Sequence, residues 1–189
     1  AKLMEKTRSW KGGKYSHFEM EHIFNFCRRT IFNGYATQSV DKLKNILLYF
    51  IEQEEGVFFT KMNKLLFYTD FLAYRLTGKG MTGLCYKAIT HGPGPLHWDR
   101  VYSFYNDIDQ EIVLYPDGRG GTKLVSKLSP DKSYFTEDEL EVLEYIHHRF
   151  KNETPTQISE TSHQEEAWKQ YLNSDSLISF EMAFTLKAI

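Results

Sequence analysis

Cysteine is nearly missing from this chain: Cys27 and Cys85 are the only two in 189 residues, in different segments and without a CxxC partner. That excludes a sequence-readable zinc site or disulfide framework and suits a reducing compartment. Also missing is any run of about 18 apolar residues, so no membrane span is expected. The first residues carry no apolar core of a secretion signal, which points to the cytoplasm. The chain opens on Ala1, which leaves room for processing or for a longer product. Neither charge dominates: a formal charge of −2 with pI near 6.4 excludes a global attraction to nucleic acid or anionic membrane.

The usual signatures of catalysis are absent as well. Gly118, Gly120 and Gly121 fall in a hairpin turn rather than between a strand and a helix, so no phosphate loop is formed. No GxSxG elbow and no cysteine-nucleophile signature occurs. The seven histidines lack ligand spacing. His17 and His22 are five apart, His147 and His148 point to different sides, and His163 reads as an exposed first-turn residue. Asp107, Asp109, Glu111 and the acids of 138–144 read as solvated faces. The expectation is no enzyme, no metal and no cofactor. A hydrolase using His91 with Asp70 or His163 is the weaker alternative, and no spacing demands it.

What is present is greasy and aromatic: 41% of residues are apolar and 15% aromatic, enough for a real core in one domain with an appendage. The stretch 60–98 organises it. On a helix, Leu72, Leu65, Leu76, Met62, Ala73 and Leu66 form an aliphatic arc, and Tyr74, Phe67 and Phe71 an aromatic one. Asn63, Asp70 and Thr77 separate them on one side, and Lys61, Lys64 and Arg75 on the other. A helix with two apolar arcs is packed on both sides or reserves one for a partner. Asp70, between the arcs, is expected to be partly buried and structural. Thr60 should cap this helix, and Gly78 with Gly80 should stop it.

Along the chain, residues 1–35 read as a basic extension with Lys2, Lys6, Arg8, Lys11 and Lys14, broken by Gly12-Gly13. Two readings are open for it: a solvated linker, or an arm for nucleic acid in which Trp10 meets a base. A helix is expected within 16–30, and residues 36–189 should form the compact unit. A helix over Val40, Leu43, Leu47 and Phe50 ends at Gly56, and a strand is expected over 83–90. His91-Gly92-Pro93-Gly94-Pro95 breaks both periodicities and should form a rigid corner presenting His91, His97 and Trp98. A helix over 96–105 and a hairpin of 111–115 with 122–126 follow. Thr136 with Glu139, Thr154 with Gln157 and Ser162 with Glu165 have capping-box spacing, and a last short helix falls in 178–186. The fold class is therefore α+β, predominantly helical.

Four ordered segments carry a resemblance: KMNKLLFYTDFLAYRLTGKGMTGLCYKAITHGPGP, YFTEDELEVLEYI, QISETSHQEEAW and ISFEMAF. Together they resemble the Panacea domain, the SocA-like antitoxin domain also found in phage-associated proteins, over roughly residues 40–186. The resemblance implies a mostly helical domain that neutralises a cognate toxin encoded beside it by direct contact. It implies no catalytic centre and no cofactor, and it marks Asn63, Asp70, Gly92, Ser162, His163 and Trp168 as motif residues. Thr69 and Gly94 depart from the family pattern, where alanine and a bulkier residue are common. Relatives often carry a DNA-binding module upstream, and residues 1–35 are too short for a complete one. Candidate toxin anchors are Phe67, Phe71, Tyr74, His91, Pro93, Pro95 and Trp98. Operator DNA and self-association are the alternative partners, and no membrane is expected.

Overall fold

In a computed structural model, residues 15–25 and 28–189 are described. The lysines of the basic extension, Trp10, Gly12-Gly13 and Cys27 lie outside them. The elements run α1 (His17–Ile23), α2 (Val40–Gln53), β1 (Val57–Phe58), α3 (Phe59–Thr77), β2 (Tyr86–Ile89), β3 (Gly92–Pro95) and α4 (Trp98–Phe104). They continue with β4 (Asp109–Leu114), β5 (Gly120–Val125), α5 (Glu137–Phe150), α6 (Pro155–Ser162), α7 (Glu166–Lys169) and a 3₁₀ turn at Phe180–Thr185. The result is a helix-dominated α+β fold with two small antiparallel sheets, ordered β1-β5-β4 and β2-β3.

The organising stretch becomes the central helix, and its two apolar arcs are both covered. Helices α5 and α6, strand β3 and the 3₁₀ turn all pack on α3. Leu65, Leu66, Phe67 and Phe71 are fully enclosed, while Leu76, past the last packing turn, is 65% exposed. Gly78 stops the helix in a left-handed cap, as its place in the sequence predicts. The start differs from expectation. Phe58, not Thr60, is the N-cap, and it makes no side-chain bond, because β1 runs straight into the helix and fixes its first turn.

The basic strip is also redrawn. Lys61 and Lys64 are buried, Lys61 on a 2.6 Å ion pair with Glu54. Helix α1 ends at Ile23, earlier than the 16–30 window, and sends Ile23 and Phe24 into the core. The Gly-Pro segment is not a free corner but a strand, paired residue for residue with β2 from Tyr86↔Pro95 to Ile89↔Gly92. Proline is tolerated there because this two-stranded ribbon is all edge.

Capping boxes form at Thr136 and Thr154, the latter with Pro155 at the first helical position. The third fails. Ser162 is the buried last residue of α6, and Glu165, the N-cap of α7, makes no side-chain cap bond. Glu165 is fully buried and takes bonds from Tyr68 Oη (3.1 Å) and the backbone N–H groups of Lys187 (2.8 Å) and Ala188 (3.0 Å). A carboxylate needed there cannot serve as a cap.

Candidate functional site

Three polar groups interrupt the apolar interior of α3, and each has a distinct fate. Asp70 has no exposed surface. Its oxygens accept from Met81 N (2.6 Å), Thr82 N (2.8 Å), Tyr86 Oη (2.5 Å) and, very closely, Thr82 Oγ1. Burial pushes its carboxyl above the ordinary range while these four donors oppose the shift. The clamp ties the loop after α3 back onto the helix. With both oxygens occupied, Asp70 has no free lone pair aimed at a substrate. Asn63 is similarly committed, its carbonyl accepting from Tyr102 Oη at 2.6 Å.

Lys64 lacks such partners. It is fully enclosed, its Nζ meets no hydrogen-bond acceptor among the described residues, and burial lowers its pKa to about 7. It lies under Gly92, where an added Cβ would stand 2.6 Å from Lys64 Cε and 2.1 Å from Ser162 Oγ, and where φ is +101°. Only glycine fits there. Ser162 Oγ donates to Ser159 O (2.7 Å), Ser159 Oγ to His91 O (2.6 Å), and Trp168 Nε1 to Ile89 O (2.7 Å). His163 stacks on Trp168 at 4.1 Å, so it is a packed residue rather than the exposed first-turn residue expected. Gly92, Ser162, His163 and Trp168 thus lock the β2-β3 ribbon onto α6 and α7.

The Lys64 shift has a measurable consequence. Unfolded, the amine holds its proton to the ordinary lysine range, whereas folded it releases it near 7. Between those values the unfolded state binds the extra proton, so stability rises with pH. Urea melts should show wild type gaining on the order of 1 kcal/mol per unit from about pH 7 to about pH 9, relative to Lys64→Met. Equal slopes would show that the amine stays charged in the fold.

The two departures from the family pattern both fall on α3 or against it. Thr69 is fully buried with its hydroxyl unpartnered. Thr69→Val keeps the shape and removes the orphan hydroxyl, so it should stabilise the fold by about 1 kcal/mol in a thermal melt. Destabilisation of that size would reveal a bond to Thr69. At Gly94, an added Cβ would meet the tip of Ile89 at 3.1 Å, a flexible neighbour.

The candidate toxin anchors scatter. Phe67 and Phe71 are enclosed, packed 4.3 Å apart, with Phe71 stacked on Phe180. Pro93 and Pro95 are buried where β3 packs on α3 and α6. As surface anchors these four are corrected: the second arc of α3 is covered by the 3₁₀ turn and β2-β3. Tyr74 and Trp98 are half-buried and His91 is exposed. Tyr74 lies at the far end of α3 beside exposed Phe184, and Trp98 packs on Phe59 at the near end.

Among the described residues the two most exposed large apolar side chains lie elsewhere, on the β4-β5 hairpin, ahead of Phe184, Leu76 and Phe18. Ile112 and Leu114 are 78% and 76% exposed, and Tyr115 is half exposed. Register puts Ile112 on the same face as Val57 and Leu124, which are buried. The hairpin therefore carries the core-side face of its sheet beyond the core. Next to it a groove of about 950 Å³ runs between the hairpin turn and the starts of α3 and α6, lined by Phe58, Phe59, Tyr115, Arg119, Thr122 and Pro155. Sequence reasoning found the hairpin but not this surface. The alternation of Ile112 and Leu114 was the available signal, and it looks the same whether the face is covered or bare.

Among the described residues no group of three His, Cys, Asp or Glu side chains is placed to hold a metal ion, and no helix is long and apolar enough to cross a membrane. His147 faces Glu54 at 3.8 Å, but Glu54 is already bound to Lys61. Burial lowers the histidine's pKa and raises the glutamate's.

The fold is a helix-dominated α+β domain whose interior polar groups lock its own segments together and whose most exposed apolar side chains lie on the β4-β5 hairpin. Residues 62–169 match the family described as antitoxin SocA-like, Panacea domain, and the chain belongs to that family. No curated protein and no solved structure matches it.

Proposed function

We propose that the chain is the antitoxin of a toxin–antitoxin pair, acting in the cytoplasm and neutralising a toxin encoded beside it by direct contact. Residues 36–189 form the neutralising domain in this reading, with 1–35 an extension that lends Ile23 and Phe24 to the core. Membership of the SocA-like antitoxin family supports the role. The observation that carries the mode of action is the bare apolar face of the hairpin at Ile112 and Leu114, whose cross-strand partners Thr122 and Gly120 line the neighbouring groove. An interface built on this side has room for the roughly 1,200–2,000 Å² of a stable complex, with Tyr115, Phe59 and Trp98 as aromatic anchors. Of the surface candidates, Tyr74 and His91 belong to its periphery at most. Phage defence is the biological setting of this reading.

The test is co-expression with the product of the neighbouring gene. Growth arrest by that product alone, relieved by this chain and accompanied by a stable complex, supports the reading. A neighbour that is harmless alone, or that stays toxic and unbound, overturns it.

A further inference from the structure

β4 is an open edge. The sheet order β1-β5-β4 leaves its outer side unpaired by any strand among the described residues. The register with β5 is continuous from Asp109↔Val125 to Leu114↔Gly120, and Tyr115 N–H donates to Arg119 O at 2.7 Å. In an antiparallel ladder, hydrogen-bonded and non-hydrogen-bonded pairs alternate. Val113, Glu111 and Asp109 therefore bond inward to β5, and the N–H and C=O groups of Gln110, Ile112 and Leu114 point away from it.

Natural edges are usually guarded by a lysine, a proline, a bulge or a cover. β4, sequence DQEIVL, has no lysine, proline or bulge and, among the described residues, no cover; its only charges are the acids Asp109 and Glu111, and Ile112 and Leu114 stand exposed. The other face of the strand is acidic. Glu111 lies opposite Lys123 of β5, and Asp109 lies two residues along, both exposed. A strand added at this edge would set its side chains beside Ile112 and Leu114 on one face. On the other it would set them beside Glu111 and Asp109, where a cation continues the alternation begun by Lys123 and Glu111.

We propose that β4 takes up, by strand addition, an extended segment of a partner protein in which apolar residues alternate with lysine or arginine. A second copy of this chain fits the edge poorly. Antiparallel self-pairing about Ile112 would gather Asp109 and Glu111 of both copies on one face, four carboxylates without a cation between the two edges. The proposal rests on the antitoxin reading for its biological partner, but the chemistry of the edge can be tested without a toxin.

The probe is a fluorescent eight-residue peptide of alternating valine and lysine, titrated against the full chain and followed by anisotropy. Saturable binding is expected, weaker by about tenfold or more for the same peptide with glutamate in place of lysine. Ile112→Pro removes an outward N–H but no bond to β5, so it should keep the fold by circular dichroism and weaken binding about tenfold or more. Ile112→Val should bind within about twofold of wild type. Absence of saturable binding, equal binding of the glutamate peptide, or full binding by a folded Ile112→Pro each overturn the proposal. So does a concentration-dependent dimer that Ile112→Pro dissolves, which would give the edge to a second copy. If the peptide binds as expected and the neighbouring product proves harmless, strand addition stands and the antitoxin reading falls. Rescue from toxin by Ile112→Pro at wild-type strength has the opposite meaning.

Discussion

Exchanging Ile112 and Leu114 together for threonine should abolish toxin neutralisation while leaving the thermal melt unchanged. Both side chains are more than three-quarters exposed, so the free domain loses almost no buried area. Threonine keeps the β-branched preference for a strand, and surface changes of this kind alter stability by about 0.5 kcal/mol or less. In a complex the same two side chains would be covered. Full burial of each contributes roughly 1.5–3 kcal/mol, so the pair should weaken toxin affinity by about 100-fold or more. Isothermal titration against the purified toxin measures this. Wild-type affinity in the double variant would move the contact surface elsewhere on the chain.

The largest effect on stability belongs to Asp70→Ala. The substitution strands the backbone N–H groups of Met81 and Thr82 in the interior and removes the acceptor of two hydroxyls, Thr82 Oγ1 and Tyr86 Oη. Stranded buried donors cost about 1–3 kcal/mol each, and breaking such a network about 3–5 kcal/mol in all. Against a total stability of about 5–15 kcal/mol, that leaves a marginal fold and lowers the melting temperature by about 10 °C or more. Asp70→Asn retains one acceptor oxygen for the two N–H groups, and the hydroxyls can rotate to receive from its amide. It should therefore lose clearly less than the alanine variant. Equal melting of wild type and Asp70→Ala would mean that the loop after α3 is held by something other than this clamp.

The contrast between the two predictions follows what the sequence could and could not express. Periodicity located α3, and the glycine after it marked the helix end, because these are local properties of the chain. Capping boxes at Thr136 and Thr154 were legible for the same reason. At Ser162 the spacing was right, yet Glu165 was claimed by Tyr68 and by the N–H groups of Lys187 and Ala188, contacts more than twenty residues away along the chain. The Gly-Pro segment read as a corner because proline cannot donate, and it pairs as a strand because β2 offers it an edge.

Phe67 and Phe71 left the list of surface anchors on the same ground. Two apolar arcs announced that α3 is covered twice or kept partly bare, and periodicity cannot distinguish the two outcomes. Phe180, arriving from more than a hundred residues away, covers the second arc. The most exposed apolar side chains are those of the hairpin, where apolar alternation looked like ordinary core-facing sheet. Lys64 illustrates the limit from the other direction: charge in a sequence suggests solvent, while Gly92 and Ser162 close over it.

Amide hydrogen exchange of the chain alone and saturated with the product of the neighbouring gene, the proposed toxin, tests whether the hairpin edge is the contact surface. Exchange is expected to slow at Gln110, Ile112 and Leu114, whose N–H groups face no strand among the described residues, with little change inside α3. A tight complex whose protection falls on another face, leaving those three amides as fast as in the free chain, would contradict it.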